Sequence, residues 1–245
     1  MNAKPFASAA DTGVKTETLE VLADGVYALT AEGDPNVGAI EGEEFVVAFE
    51  ARATPVMARQ WLDKLREHTD KPVKYLVLSH YHAVRVLGAA AFDADVIIAH
   101  EATRRLIAER GKEDWDSEAA RMPRLFKGAD TIPGLTWPDL TFSDRLTIDL
   151  GGNRGELVLQ HCGRGHTAGD LVAWLPSQGC CSPAIWWRRT PRSTRGTRST
   201  PTGRPARSTG SRRSAPMPSS VVGAMWPAGG TRSTRRSSRP VTSCW

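Results

Sequence analysis

Hydrophobic positions follow two different periods along residues 17–175, and their alternation predicts strands interleaved with helices. The segments ETLEVLADGVYALTA and EEFVVAF are typical of β-strands, with a turn at Asp24–Gly25 inside the first segment. Thr54 followed by Pro55 indicates a helix start, because threonine caps helices and proline fits the first helical position. The apolar residues that follow fall on one helical face: Met57, Trp61, Leu62 and Leu65.

The same alternation continues towards residue 175. Val73–Leu78 is an apolar run that predicts a buried strand, and DVIIAHEATRRLIAERG predicts a strand followed by a helix that ends at Gly111. LTFSDRLTIDLGG is typical of two short paired strands, while GELVLQHC and DLVAWLP predict strands on either side of a glycine-rich loop. This order of elements predicts an α/β fold.

Two histidine motifs occur where predicted strands end. In LVLSHYHAVRVLG the strand is followed by His80 and His82, whose side chains point the same way in an extended backbone. In HCGRGHTAGDLVAWLP a strand leads into a loop that presents His166, and its glycines allow unusual backbone angles. Either motif alone is typical of surface or hydrogen-bonded histidines, but the two together indicate a metal site.

With these motifs, the sequence resembles the metallo-β-lactamase superfamily over about residues 17–176, including Asn36 before the strand EEFVVAF and the segments KPVKYLVLSHYH and VIIAHEATR. The resemblance implies a four-layer αβ/βα sandwich with two inner sheets and a metal site at one edge. It also implies that His80, His82 and His166 hold a zinc ion, which would supply hydroxide for attack on a carbonyl group.

The sequence departs from the superfamily motif HxHxDH at the two positions that normally serve a second metal. Val84 and Arg85 stand there in place of Asp and His. After the strand DLVAWLP, the Gly-Asp that usually supplies a bridging carboxylate and the later Gly-His that supplies a further ligand are both missing. We therefore expect one zinc ion, or weak metal binding. Arg85 is a candidate catalytic residue, because a guanidinium beside the metal would stabilise a developing oxyanion. The alternative is that Arg85 is solvated or salt-bridged.

Other polar residues near the motifs are expected to have structural roles. Asp170 is expected to hold the GHTAGD loop, and His100 to start a helix. Glu50 lies where relatives carry an Asp at the end of a strand, and it either contacts the site or is structural. The acidic residues of 113–118 are interpreted as the solvated start of a helix.

The C-terminal part of the chain has a different composition. Residues 1–170 contain all 27 acidic residues and 19 of the 32 basic ones, whereas residues 171–245 contain 13 arginines and no acidic residue. Ser, Thr, Pro, Gly and Arg supply 48 of the 65 residues in 181–245, without periodicity. Out-of-frame translation of GC-rich DNA gives such a composition, and a shifted frame permits LLFSGDLV after Gly179. The pattern favours a frame shift over a functional basic tail.

These features predict three segments along the chain. They are an N-terminal extension over 1–16, a metallo-β-lactamase-like domain over 17–179, and an Arg/Ser/Thr/Pro-rich, out-of-frame tail over 180–245. The C-terminal half of the sandwich is accordingly expected to be incomplete or disordered.

Composition also limits the cellular context. No run approaches the ~20 apolar residues of a membrane helix, and the N-terminus lacks the apolar core of a secretory signal. The four cysteines form no CxxC pair, so a reducing cytoplasm is expected. The expected partner is a small-molecule substrate, with no membrane partner; the oligomeric state is left open.

Three functions follow from the sequence. The first is a hydrolase that uses zinc-bound hydroxide on an ester, thioester, lactone or similar carbonyl substrate. The second is a catalytically silent binding protein of the same fold, in which Val84 and Arg85 have abolished the metal centre. The third is a nucleic-acid-binding protein with a basic tail, which the irregular arginine spacing disfavours.

Overall fold

The computed structural model describes residues 13, 15–31, 34–178 and 180–183. The strands in this part of the chain are β1 (Thr18–Ala23), β2 (Val26–Thr30), β3 (Val37–Glu41), β4 (Val46–Phe49), β5 (Val73–Leu78), β6 (Val96–His100), β7 (Leu140–Phe142), β8 (Arg145–Asp149), β9 (Glu156–His161), β10 (Leu171–Leu175) and β11 (Cys180–Pro183). The α-helices are α1 (Pro55–Arg66), α2 (Ala83–Val86) and α3 (Glu101–Arg121).

The first sheet contains seven strands in chain order, from β1 to β7. The pairs from β1 to β4 are antiparallel, with the predicted turn between β1 and β2, where Gly25 has a φ of 68°. The pairs from β4 to β7 are parallel. Parallel strands bring their carboxyl ends to one edge of a sheet, which is where sites form in such folds. The segments that follow β4, β5 and β6 therefore meet at one edge.

The second sheet contains four antiparallel strands in the order β11-β10-β9-β8. The prediction that LTFSDRLTIDLGG forms two paired strands is wrong: β7 pairs with β6 in the first sheet, and β8 pairs with β9 in the second. The alternation of apolar residues in this segment identifies extended backbone, but the partner of each strand depends on the packing of the two sheets.

Hydrophobic cores lie on both faces of the first sheet. On one face, Trp61 and Leu65 of α1 pack with Leu76 of β5. On the other face, the first sheet packs against the second through residues such as Phe49 and Leu157. The described part of the chain thus forms successive helix, sheet and sheet layers. This arrangement confirms the α/β fold class and the packing of two sheets against each other.

Helix α1 begins as the sequence predicts. The backbone N–H of Met57 donates a 3.2 Å hydrogen bond to Thr54 Oγ1, and Pro55 occupies the first turn. Trp61 and Leu65 are fully buried on the predicted apolar face.

Helix α3 does not end at Gly111 as predicted, but continues through it to Arg121. A Cβ at Gly111 would lie 3.3 Å from a methyl carbon of Leu135, so this glycine allows close packing against the helix. The residues after it, KEDWDSEAAR, favour helix and extend it by nearly three turns.

Most of the predicted extension and tail lie outside the described residues, as does the proposed frame shift beyond residue 183. These expectations, including the domain boundaries, stay predictions. The first residues of the predicted tail, Cys180–Pro183, form β11 and pair with β10. Among the helices of the described part of the chain, none has the length and apolar character to cross a membrane.

Candidate metal centre

The three histidines of the two motifs lie together at the edge of the first sheet. His80 and His82 follow β5, and His166 lies in the loop between β9 and β10. One ring nitrogen of each lies within 4.8 Å of one in each of the other two rings. The ring centroids are 5.1 Å apart for His80–His82, 5.3 Å for His80–His166 and 4.8 Å for His82–His166. Because His80 is buried and His166 is exposed, the cluster opens to solvent on the side of His166.

Two of the three rings have a hydrogen-bonding partner at Nδ1. Ser79 Oγ lies 2.8 Å from His80 Nδ1, and Asp114 Oδ1 lies 2.7 Å from His82 Nδ1. The other carboxylate oxygen of Asp114 accepts the backbone N–H of Ala83 at 2.7 Å. With Nδ1 engaged in both rings, Nε2 is the nitrogen that remains for a metal ion.

The loop that presents His166 is closed by Asp170. The carboxylate of Asp170 accepts the backbone N–H of His166, and the backbone N–H (2.9 Å) and hydroxyl (2.5 Å) of Thr167. The loop also packs against the start of α3, where a Cβ at Gly169 would lie only 2.5 Å from the backbone nitrogen of Thr103. As expected from the sequence, Asp170 holds its loop.

Arg85 lies buried beside the cluster, with 8% of its surface exposed. Its Nη1 is 3.8 Å from Glu50 Oε2 and makes a long contact of 3.5 Å to the carbonyl oxygen of Asn36. Oε1 of Glu50 accepts the backbone N–H of Ser79 at 2.9 Å, which ties the ion pair to the residue before His80. Of the two structural alternatives, Arg85 is therefore ion-paired and not solvated, and its catalytic role stays a prediction.

Glu50 is a buried acidic residue with a left-handed backbone conformation. It is 1% exposed, has a φ of 70°, and its Oε2 has no hydrogen-bond partner among the described residues. Burial raises the pKa of Glu50 to about 7, although the charge of Arg85 and the hydrogen bonds from Ser79 oppose the shift. An orphaned acceptor and a positive φ in a non-glycine residue are features that concentrate at functional sites.

Burial also favours the neutral form of the candidate ligands. It lowers the pKa of His80 well below the ordinary value, and the charges of Arg85 and the neighbouring histidines act in the same direction. It lowers the pKa of His166 as well, with a further contribution from His82 and partial opposition from Asp170. Neutral imidazole is the form that binds metal ions.

His100 and His161 form a separate stacked pair, with ring centroids 3.9 Å apart and an angle of 23° between the ring planes. Nδ1 of His100 accepts the backbone N–H of Ala102 at 3.0 Å and thereby caps α3, while Nε2 donates to the carbonyl oxygen of Ser143. Nδ1 of His161 donates to the carbonyl oxygen of Asp170 at 2.7 Å. His100 starts a helix, as expected.

Replacing His100 by asparagine is expected to make the metal-free protein less sensitive to acid. Burial lowers the pKa of His100 below its ordinary 6.5, so as the pH falls below 6.5 the unfolded chain takes up a proton that the folded chain does not. The free energy of unfolding therefore decreases on acidification. Asparagine can accept the same N–H without titrating.

Urea unfolding of both proteins between about pH 5 and pH 8 measures this difference. A shallower loss of stability is expected for His100→Asn. The control is His68→Asn, at an exposed histidine outside the stacked pair. An equally steep loss in wild type and His100→Asn would contradict the assignment.

Asp114 is the site residue that the sequence analysis missed. The interpretation of residues 113–118 as a solvated helix start is wrong for it, because Asp114 lies within α3 and its side chain is only 11% exposed. Glu118, one turn later, is also buried, and both lie with His82 in a second group of potential ligand atoms within 4.8 Å. His82 and Asp114 are 32 positions apart in the sequence, which leaves no local signal, so only the packing of α3 reveals the contact.

Comparison with known proteins shows sequence similarity to an O-demethylase subunit. No family model matches the sequence. Over 164 residues, the chain is 30% identical to the 2,4-dinitroanisole O-demethylase subunit alpha of Nocardioides sp. (strain JS1661). The match covers 66% of this chain and 43% of the relative, so the chain spans less than half the length of that protein.

Comparison with solved structures gives the architecture. A metallo-β-lactamase from Pontibacter korlensis matches with a TM-score of 0.51 and 20% identity, covering 68% of this chain and 70% of that one. A double mutant of the sec-alkyl sulfatase PisA1 matches with a TM-score of 0.52 and 20% identity, covering 67% of this chain and 30% of that one. At these identities the matches establish the arrangement of strands and helices, and not the chemistry.

Proposed function

The chain has the metallo-β-lactamase fold, in a divergent form with HYHAVR at the histidine motif, and from this premise we propose that it is a metal-dependent hydrolase. The observation that carries the proposal is the convergence of His80, His82 and His166. Two distant segments of the chain bring three imidazoles to one solvent-accessible point. No other described group in this region offers three histidine ligands.

The residues present fit a zinc ion. Zinc is commonly bound by three protein ligands with one position left open in catalytic sites, and imidazole nitrogen is a preferred donor. The partners at Nδ1 of His80 and His82 leave Nε2 free in both rings, and burial favours neutral imidazole in His80 and His166. When bound, zinc would lower the pKa of water to about 7 and supply a hydroxide nucleophile near neutral pH.

One ion per chain is expected at this site. Val84, at a position that would need a carboxylate for a second ion, is buried in the hydrophobic core. Arg85 brings a positive charge to the same region, as its effect on the pKa of both His80 and His166 indicates. A second cation would be repelled there, and Val84 offers it no ligand atom.

The substrate class follows from the nucleophile and the relatives. Hydroxide attacks an electrophilic centre and displaces an anionic leaving group, such as the alkoxide of an ester or lactone or the thiolate of a thioester. The names of the similar proteins add two further candidates of that kind: a sulfate ester, and an aryl methyl ether activated by nitro groups. In the last case water and the ether give a phenol and methanol. Because this chain spans less than half of the O-demethylase subunit, the aryl methyl ether ranks behind the ester, thioester and lactone substrates.

The test begins with metal analysis of purified protein, followed by assays on a panel of those five substrate classes. We expect about one zinc ion per chain, hydrolysis of at least one class, loss of activity on chelation, and recovery with zinc. A folded protein that takes up no zinc and hydrolyses nothing would overturn the proposal. That result would instead identify a binding protein of the same fold.

A catalytic role of Arg85 predicts that Arg85→Met lowers kcat by roughly 10²-fold with little change in KM, since fixed donors that stabilise a developing oxyanion contribute about that much. Arg85→Lys, which retains the charge, is expected to keep most of the activity. Zinc affinity and thermal stability of both variants are measured alongside turnover. Wild-type turnover in zinc-loaded Arg85→Met would leave Arg85 with only its structural pairing to Glu50.

A further inference from the structure

We propose that Asp114 is a positioning residue of the metal centre, holding the ring of His82 in the orientation and tautomer that bind the ion. The inference rests on the proposed function, since it assigns a role toward the same ion. It concerns a residue on α3, which carries none of the three histidines.

The geometry around Asp114 allows one tautomer of the neutral His82 ring. One carboxylate oxygen lies 2.7 Å from His82 Nδ1, and a carboxylate oxygen can only accept, so Nδ1 carries the hydrogen. The neutral ring then has its lone pair on Nε2, which is the form required of a ligand that binds through that nitrogen. Carboxylates or carbonyls placed in this way behind metal-binding histidines fix the tautomer and make the ring a stronger donor.

The second oxygen of Asp114 fixes the backbone beside the ring. It accepts the N–H of Ala83 at 2.7 Å, at the residue that follows His82 and begins α2. His82 is the residue before that helix, and it makes no side-chain hydrogen bond to cap it. Asp114 therefore supplies from α3 the acceptor that the start of α2 lacks. A single side chain orients both the imidazole and the backbone from which it projects.

The surroundings of Asp114 make this contact rigid. Its side chain is 11% exposed and that of His82 is 20% exposed, so water competes poorly for either partner. Asp114 lies well inside the 21-residue helix α3, whose start is fixed by the His100 cap and by the contact of Thr103 with Gly169. The same helix thereby touches the segments that carry His82 and His166.

The test replaces Asp114 by asparagine and measures zinc affinity by competition with a chromophoric chelator. Asparagine has the size of aspartate but offers one oxygen and one NH₂ group. With its oxygen on the Ala83 N–H, its NH₂ group can only donate to His82 Nδ1, which moves the ring hydrogen to Nε2, the nitrogen that must bind the ion. With its oxygen on His82 Nδ1–H instead, the Ala83 N–H loses its acceptor. We expect zinc affinity to fall by about 10- to 100-fold in Asp114→Asn, the range found when such outer partners are removed.

Asp116→Asn is the matched control, because Asp116 lies two residues away on α3, is exposed and pairs with Lys112 instead. We expect its zinc affinity to stay within about twofold of wild type, since a change at an exposed position away from the site has little effect. Circular dichroism and thermal melts establish that both variants fold. Equal zinc affinity in wild type and Asp114→Asn would overturn the positioning role.

A second measurement tests Asp114 without any metal. Two-bond ¹⁵N–¹H correlation spectra of the metal-free protein report which nitrogen of His82 carries the hydrogen, with His82→Gln used to assign the signals. We expect hydrogen on Nδ1 in the wild type and a mixture of tautomers in Asp114→Asn. Hydrogen on Nε2 in the wild type would overturn the inference. If the wild type shows Nδ1–H but binds no zinc, the proposed function fails while the contact made by Asp114 stands.

Discussion

Replacement of His166 by alanine is expected to abolish zinc-dependent hydrolysis. Loss of a direct ligand should weaken zinc binding by more than the roughly 100-fold that marks the loss of an outer partner. His166 is the informative position, because it is the exposed member of the cluster and its removal leaves no cavity in the core. Alanine at the buried His80 would combine loss of a ligand with loss of packing.

Zinc titration and turnover on the best substrate measure the effect in His166→Ala, with His68→Ala as the control at an exposed histidine outside the cluster. The control is expected to bind zinc and turn over like the wild type. Unchanged zinc affinity in His166→Ala would show that the ion, if bound, lies elsewhere in the protein, and the proposed centre would be wrong.

Replacement of Trp61 by alanine is expected to reduce the free energy of unfolding by about 3–5 kcal/mol, the range for truncating a large aromatic residue in a core. Trp61 is 0% exposed and fills the space between α1 and the first sheet. Its indole Nε1 has no hydrogen-bond partner among the described residues. Trp61→Phe keeps most of the volume and removes this orphaned donor, so its expected loss is below about 1.5 kcal/mol.

Chemical denaturation of the two variants, compared with Trp137→Ala, measures these losses. Trp137 is 45% exposed and contacts Arg104 through its ring, so its truncation is expected to lower stability by less than about 1 kcal/mol. An equal loss at positions 61 and 137 would contradict the described packing of α1. Zinc affinity per folded molecule should be unchanged in all three variants, because Trp61 lies in the core between α1 and the first sheet and Trp137 lies at the surface.

Local sequence signals predict the elements that depend on neighbouring residues. The turn at Asp24–Gly25, the Thr54 cap and the strand Val73–Leu78 all occur as predicted, since a cap or an apolar run acts over a few residues. The prediction that a helix ends at Gly111 is wrong, because a glycine can either end a helix or allow close packing in the middle of one. Only the position of Leu135 decides between the two.

The sequence by itself determined the fold class and the two histidine motifs, because each motif lies on one short segment next to a strand. The resemblance of these motifs to one superfamily already implies that His166 joins His80 and His82, and the face-to-face packing of the two sheets makes that contact. Only the tertiary structure decided the environments of Arg85 and Asp114, the first buried against Glu50 and the second bonded to His82. The identity of a charged residue does not show whether it lies on a solvated helix or beside a metal site. Its role depends on the partners that distant segments of the chain place around it.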